Sequence, residues 1–476
     1  MDIKELRSLK PALDRFAREF DDCISTAPSR RHLLRYMRGQ LGPLERKSIE
    51  PIALDAEVPV RPLQEFLSIH RWDEDVVAFR LRELAVRDHF DPNGIGVIDE
   101  TSFVKKGAKT AGVQRQYCGH MGKVENCVVT VHPGYVTSDF HALVDGDLCL
   151  PEESWAEDRG RCREARIPED VVYRPKWRIA LDLLRRTLND GVTLRWITAE
   201  ELYGRCTAFR NAVSDWGLNY VVEIPSNLSG WTHKPRIDPP GTLRPSRHRS
   251  RVPHLVAGAK AARPVSGLWK RGGPSWQTFR VKDTQKGPEV WRLRETCFYP
   301  CDDGLPGRES RLIIAEHVLS GEVKYFLSDA GPDVAHKTLL YVAFSRWHVE
   351  RLFEDGKGEV GFDHFEVRNY KSLMRHLVLT NLSLYFLCEQ TTRLRGKKSL
   401  VDTLPGDGGG RGPTRPSDGT EGAYATSGES SLEHHLLAAT ECQGGLLSRQ
   451  MEAAQATSRR NRPSESATMS SADLAL

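Results

Sequence analysis

The run Ser345-Arg346-Trp347-His348-Val349-Glu350-Arg351-Leu352-Phe353-Glu354-Asp355-Gly356-Lys357 is the most informative in the chain. It lies in a segment, Ala335 to about Gly356, that the apolar spacing predicts as one long helix. At about 100° per residue, offsets of 4 and 11 return to within about 40° of the starting direction. Arg346, Glu350 and Lys357 therefore share one helix face. A carboxylate between two cations on one face reads two ways. It can be a surface ion-pair ladder, which is common. It can also be a metal-binding acid beside groups that hold phosphates. Geometry alone favours the ladder.

Outward from this run the chain alternates in character. A second apolar helix is expected over Leu373 to Leu394. After Gly396 the composition turns to Gly, Ser, Thr, Pro and Ala, which cannot bury enough apolar surface to offset ordering entropy, so disorder is expected over 396–476. So abrupt a change is what a frameshifted reading frame would produce. Gly406 to Gly412 is Gly-rich but lacks the Lys-Ser/Thr ending of a phosphate loop. Towards the N-terminus, Asp91-Pro92-Asn93-Gly94 marks a turn, and strands are expected at Ile95 to Ile98, ending at Asp99, and at Cys127 to Val131, Phe140 to Leu150, Val192 to Thr198 and Tyr220 to Ile224. A helix is expected over Lys176 to Asn189, stopped by Gly191. Strands first, then strand and helix alternating, point to a mixed sheet with helices, an α/β layer architecture. Residues 227–334 become Pro-, Gly- and Arg-rich and then β-rich, with runs such as Trp276 to Val281 and Val290 to Leu293. Residues 1–90 read as helical, with basic residues at Arg30, Arg31, Arg35 and Arg38.

The bulk numbers exclude several classes. The chain has 476 residues, 39% hydrophobic and 28% charged, an ordinary globular balance with room for more than one domain. No stretch approaches a bilayer span and the N-terminus lacks an apolar signal core, so a cytoplasmic protein without a membrane partner is expected. Ten cysteines occur without a Cys-x-x-Cys pair, which argues for reduced thiols over a structural zinc site. Net charge is only +4. Its distribution is uneven, however: twelve Lys and Arg residues fall between Lys234 and Lys282 against one acid, Asp238. Such a block is either a phosphate-neutralising surface or a solvated loop.

Further runs carry acids at intervals. Val97-Ile98-Asp99-Glu100-Thr101-Ser102-Phe103-Val104-Lys105-Lys106-Gly107 places an acid at a strand end. Gly112 to Gly119 and Gly122 to Cys127 follow it. Trp196-Ile197-Thr198-Ala199-Glu200-Glu201-Leu202-Tyr203-Gly204 places acids at another strand end, and Gly361 to Arg368 follows the helix of Glu350. Together with Arg-x3-Glu-x6-Lys at Arg346, Glu350 and Lys357, these runs resemble the signature of insertion-sequence transposases of the Asp-Asp-Glu type, over roughly residues 30 to 395.

The resemblance implies an RNase H-like mixed sheet with flanking helices, interrupted by a β-rich insertion, plus an N-terminal helical domain. The implied boundaries are 1–90 for a helical DNA-binding domain, 91–226 for the first part of the core, 227–334 for the insertion with its basic loop, 335–395 for the helices that complete the core, and 396–476 for the tail. It implies a DNA transposase that cleaves at element ends and joins the freed 3′-hydroxyl to target DNA. Asp99, Glu200 and Glu350 would be the catalytic, metal-holding acids; Arg346, Lys357, Lys105 and Lys106 would meet DNA. The implied cofactor is Mg2+, with Mn2+ as a substitute. Three carboxylates would hold two such ions about 4 Å apart. The implied partners are the element's terminal repeats, target DNA and a second copy of the chain.

Two positions depart from the family pattern. Where the family has Tyr three residues before the Arg, this chain has Ala343, and where it has the second Asp, this chain has Glu200. The extra methylene displaces a carboxylate by about 1 Å, a misplacement catalysis tolerates poorly. Glu200 either still binds metal with reduced activity or marks an inactivated copy. An acid at a helix start also accounts for Glu200 and Glu201 without any chemistry. A catalytically inactive DNA-binding protein and a plain metal-dependent nuclease are the alternatives.

Overall fold

The computed structural model describes residues 3–239, 252–269, 272–284 and 287–401. Its centre is strand β1 (Ile95–Val104), whose Ile95, Val97, Ile98 and Phe103 are buried. β1 runs antiparallel to β3 (Lys123–Val136), with Ile95 opposite Val136 and Val104 opposite Cys127. β2 (Gln114–Cys118) flanks β3 on its other side. On its opposite edge β1 pairs in parallel with β4 (Trp196–Ala199), which pairs in parallel with β5 (Asn219–Ile224). A parallel pair needs a crossover. The chain between β3 and β4 supplies it, with a short helix at Arg159–Glu164 and a longer one over Lys176–Asn189, the range the sequence predicted.

The fold is thus mixed α/β with one large mixed sheet. The β-rich residues after 227 do not stand apart from it. Strands β6 (Gln277–Thr284), β7 (Gly287–Asp302), β8 (Ser310–His317) and β9 (Val323–Ser328) pair antiparallel in succession, and β9 joins β5 with Tyr325 opposite Ile224. Among the described residues the order is β7-β8-β9-β5-β4-β1-β3-β2, with β6 also on β7.

Helices α1 (Ile3–Arg18), α2 (Ala27–Gln40), α3 (Ile49–Asp55), α4 (Val60–Ser68) and α5 (Glu74–Asp88) open the chain. α1, α2, α4 and α5 pack on the last helix, Tyr370–Val401, and α3 packs on α2 and α4. That helix is apolar around most of its girth, with Leu377, Leu379, Leu382, Leu384 and Phe386 all buried, the pattern of a helix with neighbours on every side. Polar contacts fix the register. Tyr36 Oη lies 2.8 Å from His376 Nδ1, and Gln40 Nε2 donates to Thr380 Oγ1 at 2.8 Å. Buried Arg375 donates to the carbonyls of Phe66, Leu67, His70 and Trp72, closing the α4–α5 turn. Buried Arg82 of α5 reaches Asp145 at 2.8 Å and Asp190 at 2.6 Å, and so ties the helices to the sheet side.

Three expectations need correction. The strand predicted over Phe140 to Leu150 is only two short pieces, His141–Leu143 and Asp147–Leu148. Asp145 lies between them and turns inward to Arg82 and Arg186, which breaks the alternation. The helix predicted from Ala335 to Gly356 is two helices, α6 (His336–Phe344) and α7 (Trp347–Val360), counted after the five above. At the break Ser345 Oγ donates back to the Tyr341 carbonyl at 2.6 Å, a bond that bends helices. Finally, β1 does not end at Asp99 but continues to Val104; what ends there is its pairing with β4, whose last partner is Ile98. The basic positions Arg244, Arg247, Arg249, Arg251, Lys270 and Arg271 lie outside the described residues, as does the tail expected over 396–476 except for 396–401, which continue the last helix.

Candidate active site

The end of β4 and the freed edge of β1 bring two acids together. Asp99 is buried in β1 at 5% exposure, one residue beyond the β4 pairing. Glu200 follows β4 at the start of the short helix Glu201–Gly204. Its side chain makes no capping hydrogen bond and is turned instead to Arg346. Glu201, by contrast, opens that helix and is exposed.

The third element is the α6–α7 break. Arg346 sits in it, and its guanidinium points into the acids. Nη1 lies 2.7 Å from Glu200 Oε1 and 3.6 Å from Asp99 Oδ2. Nη2 lies 2.6 Å from Glu350 Oε1, one turn along α7. Nε lies 3.8 Å from Glu223 Oε2. The expected face pairing of Arg346 with Glu350 is present, but it is one spoke of a hub and not a surface ladder: the Arg346 side chain is only 15% exposed.

Electrostatics follow from this crowding. Burial, and then the charge of Glu200, raises the Asp99 carboxyl well above its ordinary value, with Arg346 opposing. Burial raises Glu200 as well, again against Arg346. Burial works against the charge of Arg346, yet the four acids outweigh it and its pKa is raised.

Two acids at the site escaped the sequence reading. Glu223 sits in β5 between Arg346 and Lys324, whose Nζ is 3.2 Å from Glu223 Oε1. Its only trace in the sequence is an acid inside the apolar run Tyr220-Val221-Val222-Glu223-Ile224. Glu100, next to Asp99, accepts from Lys176 Nζ at 2.6 Å and from the Tyr203 hydroxyl at 2.7 Å. Tyr203, noted only as part of a motif, is thus a buried anchor that ties the helix after β4 to Glu100 of β1.

The expected DNA-facing lysines divide. Lys357 donates to the Ser102 carbonyl at 3.2 Å, and burial lowers its pKa. Lys105 donates to the carbonyls of Asp363 and Phe365 at 3.0 and 2.8 Å, and burial takes its pKa down to about 7. Lys106 is exposed.

Among the described residues no group of three or more His, Cys, Asp or Glu side chains is arranged as a metal centre. The acids surround a guanidinium instead. Their chemistry nevertheless suits a hard divalent ion, which takes carboxylate oxygens. Asp99 and Glu200, both with raised pKa, are carboxylates whose charge is incompletely compensated, and they gain from a nearby cation. The donors fit such an ion provided that Arg346 yields part of its place.

Fold and site together define an α/β protein with an acidic centre built from the middle of one strand, the end of its parallel neighbour and a later helix. Comparison with known families gives the narrower placement. The family model described as DDE superfamily endonuclease matches residues 19–288, and the chain belongs to that family. The matched range includes Asp99, Glu200 and Glu223 and ends before Arg346. The chain is also 31% identical, over 196 residues, to a protein of Microchaete diplosiphon described as a probable transposase for insertion sequence element IS701. That match takes in 40% of this chain and 47% of the relative, so the chain spans about half the length of the curated protein. The resemblance to insertion-sequence DDE transposases is therefore borne out. A cryo-EM structure of a piggyBac transposase synaptic complex with hairpin DNA aligns with 79% of this chain and 68% of its own, at a TM-score of 0.39 and 9% identity.

Proposed function

We propose that this protein is a DNA transposase with an RNase H-like core, which cleaves DNA at the ends of its element and joins the 3′-hydroxyl to target DNA. The observation that carries this reading is the convergence of Asp99, Glu200 and Glu350 on one point from β1, the end of β4 and α7. The strand order β2-β3-β1-β4-β5, antiparallel on one side of β1 and parallel on the other, supports the core assignment.

Asp99, Glu200 and Glu350 would hold divalent metal, Mg2+ or Mn2+. When bound, such ions activate an attacking oxygen and stabilise a leaving one. The chain's own contribution is placement. Asp99 is fixed by the sheet, and its Oδ1 accepts the Glu100 amide at 2.8 Å. Glu200 and Glu350 are about half-exposed and can adjust. Arg346 neutralises the acids while no other cation is present, and a DNA phosphate offers it an alternative partner. Lys176 and Tyr203 hold Glu100 away from the centre. Lys357, on the same helix as Glu350, borders the approach of the DNA, and Lys106, exposed on the loop after β1, meets it farther along. A second copy of the chain is expected, since two element ends must be held together, and the setting is the cytoplasm.

A second reading, a catalytically inactive DNA-binding protein, is favoured by one observation: Arg346 already fills the space among the acids, beside a Glu where the family has Asp. Cleavage of DNA carrying the gene's own flanking ends, with Mg2+ or Mn2+, separates the two. The proposal expects cutting by the wild type that falls by at least about a hundredfold in Asp99→Ala, as when a catalytic group is lost. Binding without cutting by the wild type, with cutting recovered only in Glu200→Asp, selects an impaired site. Binding without cutting by any variant selects the inactive reading.

A further inference from the structure

Beyond Val104, the far end of β1, the loop Lys105–Thr110 faces the segment Asp363–Arg368 that follows α7. Arg46, from the connection between α2 and α3, completes the wall. Together they enclose a cavity of about 850 Å3.

The walls are held from several directions. Asn126 Nδ2 donates to the carbonyls of Lys105 and Gly107 at 2.6 and 2.9 Å, and Arg161 Nη2 donates to that of Ala108 at 2.9 Å. The Ala111 amide donates to the Arg368 carbonyl at 3.0 Å, joining the two walls. Lys105 crosses between them through its bonds to the carbonyls of Asp363 and Phe365, with Nζ 3.3 Å above the Phe365 ring. An ordinary solvated loop leaves its carbonyls to water. Here they are tied to side chains, so the loop is organised before anything binds to it.

What it presents is mainly positive charge: the acids in the lining, Asp363 and Glu366, are outnumbered by Arg46, Lys106, Lys109 and Arg368. Lys106, Lys109 and Arg368 are exposed and form no ion pair among the described residues. Arg46 is paired with Glu366 at 2.5 Å on the rim. A Cβ on Gly107 would touch nothing within 4 Å, so the backbone there is open to close approach.

We propose that this cavity binds the phosphate backbone of duplex DNA, through Lys106, Lys109 and Arg368, as a site separate from the acidic centre. The proposal rests on the transposase reading for the choice of polyanion. Lys105 is a positioning residue that sets the two walls; it is not a phosphate ligand. Because Lys105 directly follows the end of β1, six residues from Asp99, the cavity is about 20 Å from the acids. For a duplex that runs along β1, at about 3.4 Å per base pair, its contacts fall about six base pairs from the cleaved phosphate.

The test uses the full chain and a duplex carrying the gene's flanking end. Affinity is measured against salt, and phosphate ethylation interference maps the contacts. The triple variant Lys106→Ala, Lys109→Ala, Arg368→Ala should lower the steepness of log K against log salt by about 2 to 3, since each released contact is worth about 0.9. Interference about six base pairs from the cleavage point should vanish, while that at the cleavage point stays. Lys106→Arg, Lys109→Arg, Arg368→Lys should keep the wild-type slope. A triple alanine variant with wild-type slope and interference overturns the proposal, even if it cleaves DNA normally and the transposase reading stands. A lost slope without cleavage by any form of the protein upholds the cavity and removes the enzymatic reading. No DNA binding by the wild type overturns both.

Discussion

Arg346 is where the chemistry of the sequence and the geometry of the fold meet. Its spacing to Glu350 and Lys357 was readable as a shared helix face. What that face looks onto was not, because a helical period fixes direction around one axis and says nothing of the neighbour. Glu223 was illegible for a related reason: it belongs to no run of acids and is brought in by sheet pairing alone. Asp99, Glu200 and Glu350 were legible as a set only through their motifs. The hub makes a stability prediction. Arg346→Ala leaves Asp99 and Glu200 without their cation, so unfolding free energy should drop. A buried pair broken on one side loses about 3–5 kcal/mol, and with Glu200 and Glu350 half-exposed about 1–3 kcal/mol is expected here. Denaturant unfolding measures it, and added Mn2+ should restore part of the loss. An unchanged midpoint would mean that the four acids do not depend on Arg346.

At the scale of elements, the short helix after β4 sets the distance between Glu200 and Glu223. Gly204 permits its approach: a Cβ there would stand 1.9 Å from the Glu223 carbonyl oxygen, backbone that cannot turn aside. Gly204→Ala should therefore push the helix off β5 and destabilise the protein by about 2–3 kcal/mol, as overpacking does. Cleavage should fall further than stability, because Glu200 moves with the helix. Calorimetry and the cleavage assay on one preparation compare the two; a variant equal to wild type in both contradicts this role. The sequence marked this glycine within a motif but offered no reason for it, since the reason lies on another strand. It foresaw the crossover helix Lys176–Asn189 to the residue and merged α6 with α7, because Ser345 and Arg346 interrupt no apolar period.

At the scale of the molecule, the helices at both ends of the described chain pack on one another, the last of them meets the sheet at His141–Leu143, and the β-rich strands extend the same sheet through β5 and β9. A mixed sheet with helices was legible from the alternation of patterns. The continuity of the sheet was not, because the β5–β9 pairing joins residues about a hundred positions apart and local periodicity carries no record of partners. Two buried histidines make this assembly sensitive to acid. Burial takes His132 from 6.5 down to about 4 and His376 from 6.5 down to about 3. A depressed folded pKa means that stability is full above pH 6.5 and is lost as pH falls towards the folded values. His132 contributes on the order of 3 kcal/mol and His376 on the order of 5 kcal/mol. Unfolding free energy measured from pH 7 to 4 should fall steeply in the wild type and less steeply in His376→Gln; equal slopes would remove His376 from this account. The central claim, that Asp99, Glu200 and Glu350 form a centre for divalent metal, is tested most directly by titrating Mn2+ into the DNA-bound protein and following the free ion by electron paramagnetic resonance. The account predicts binding by the wild type that is lost in Asp99→Asn and weakened in Glu350→Gln. Binding of the same strength in all three would contradict it.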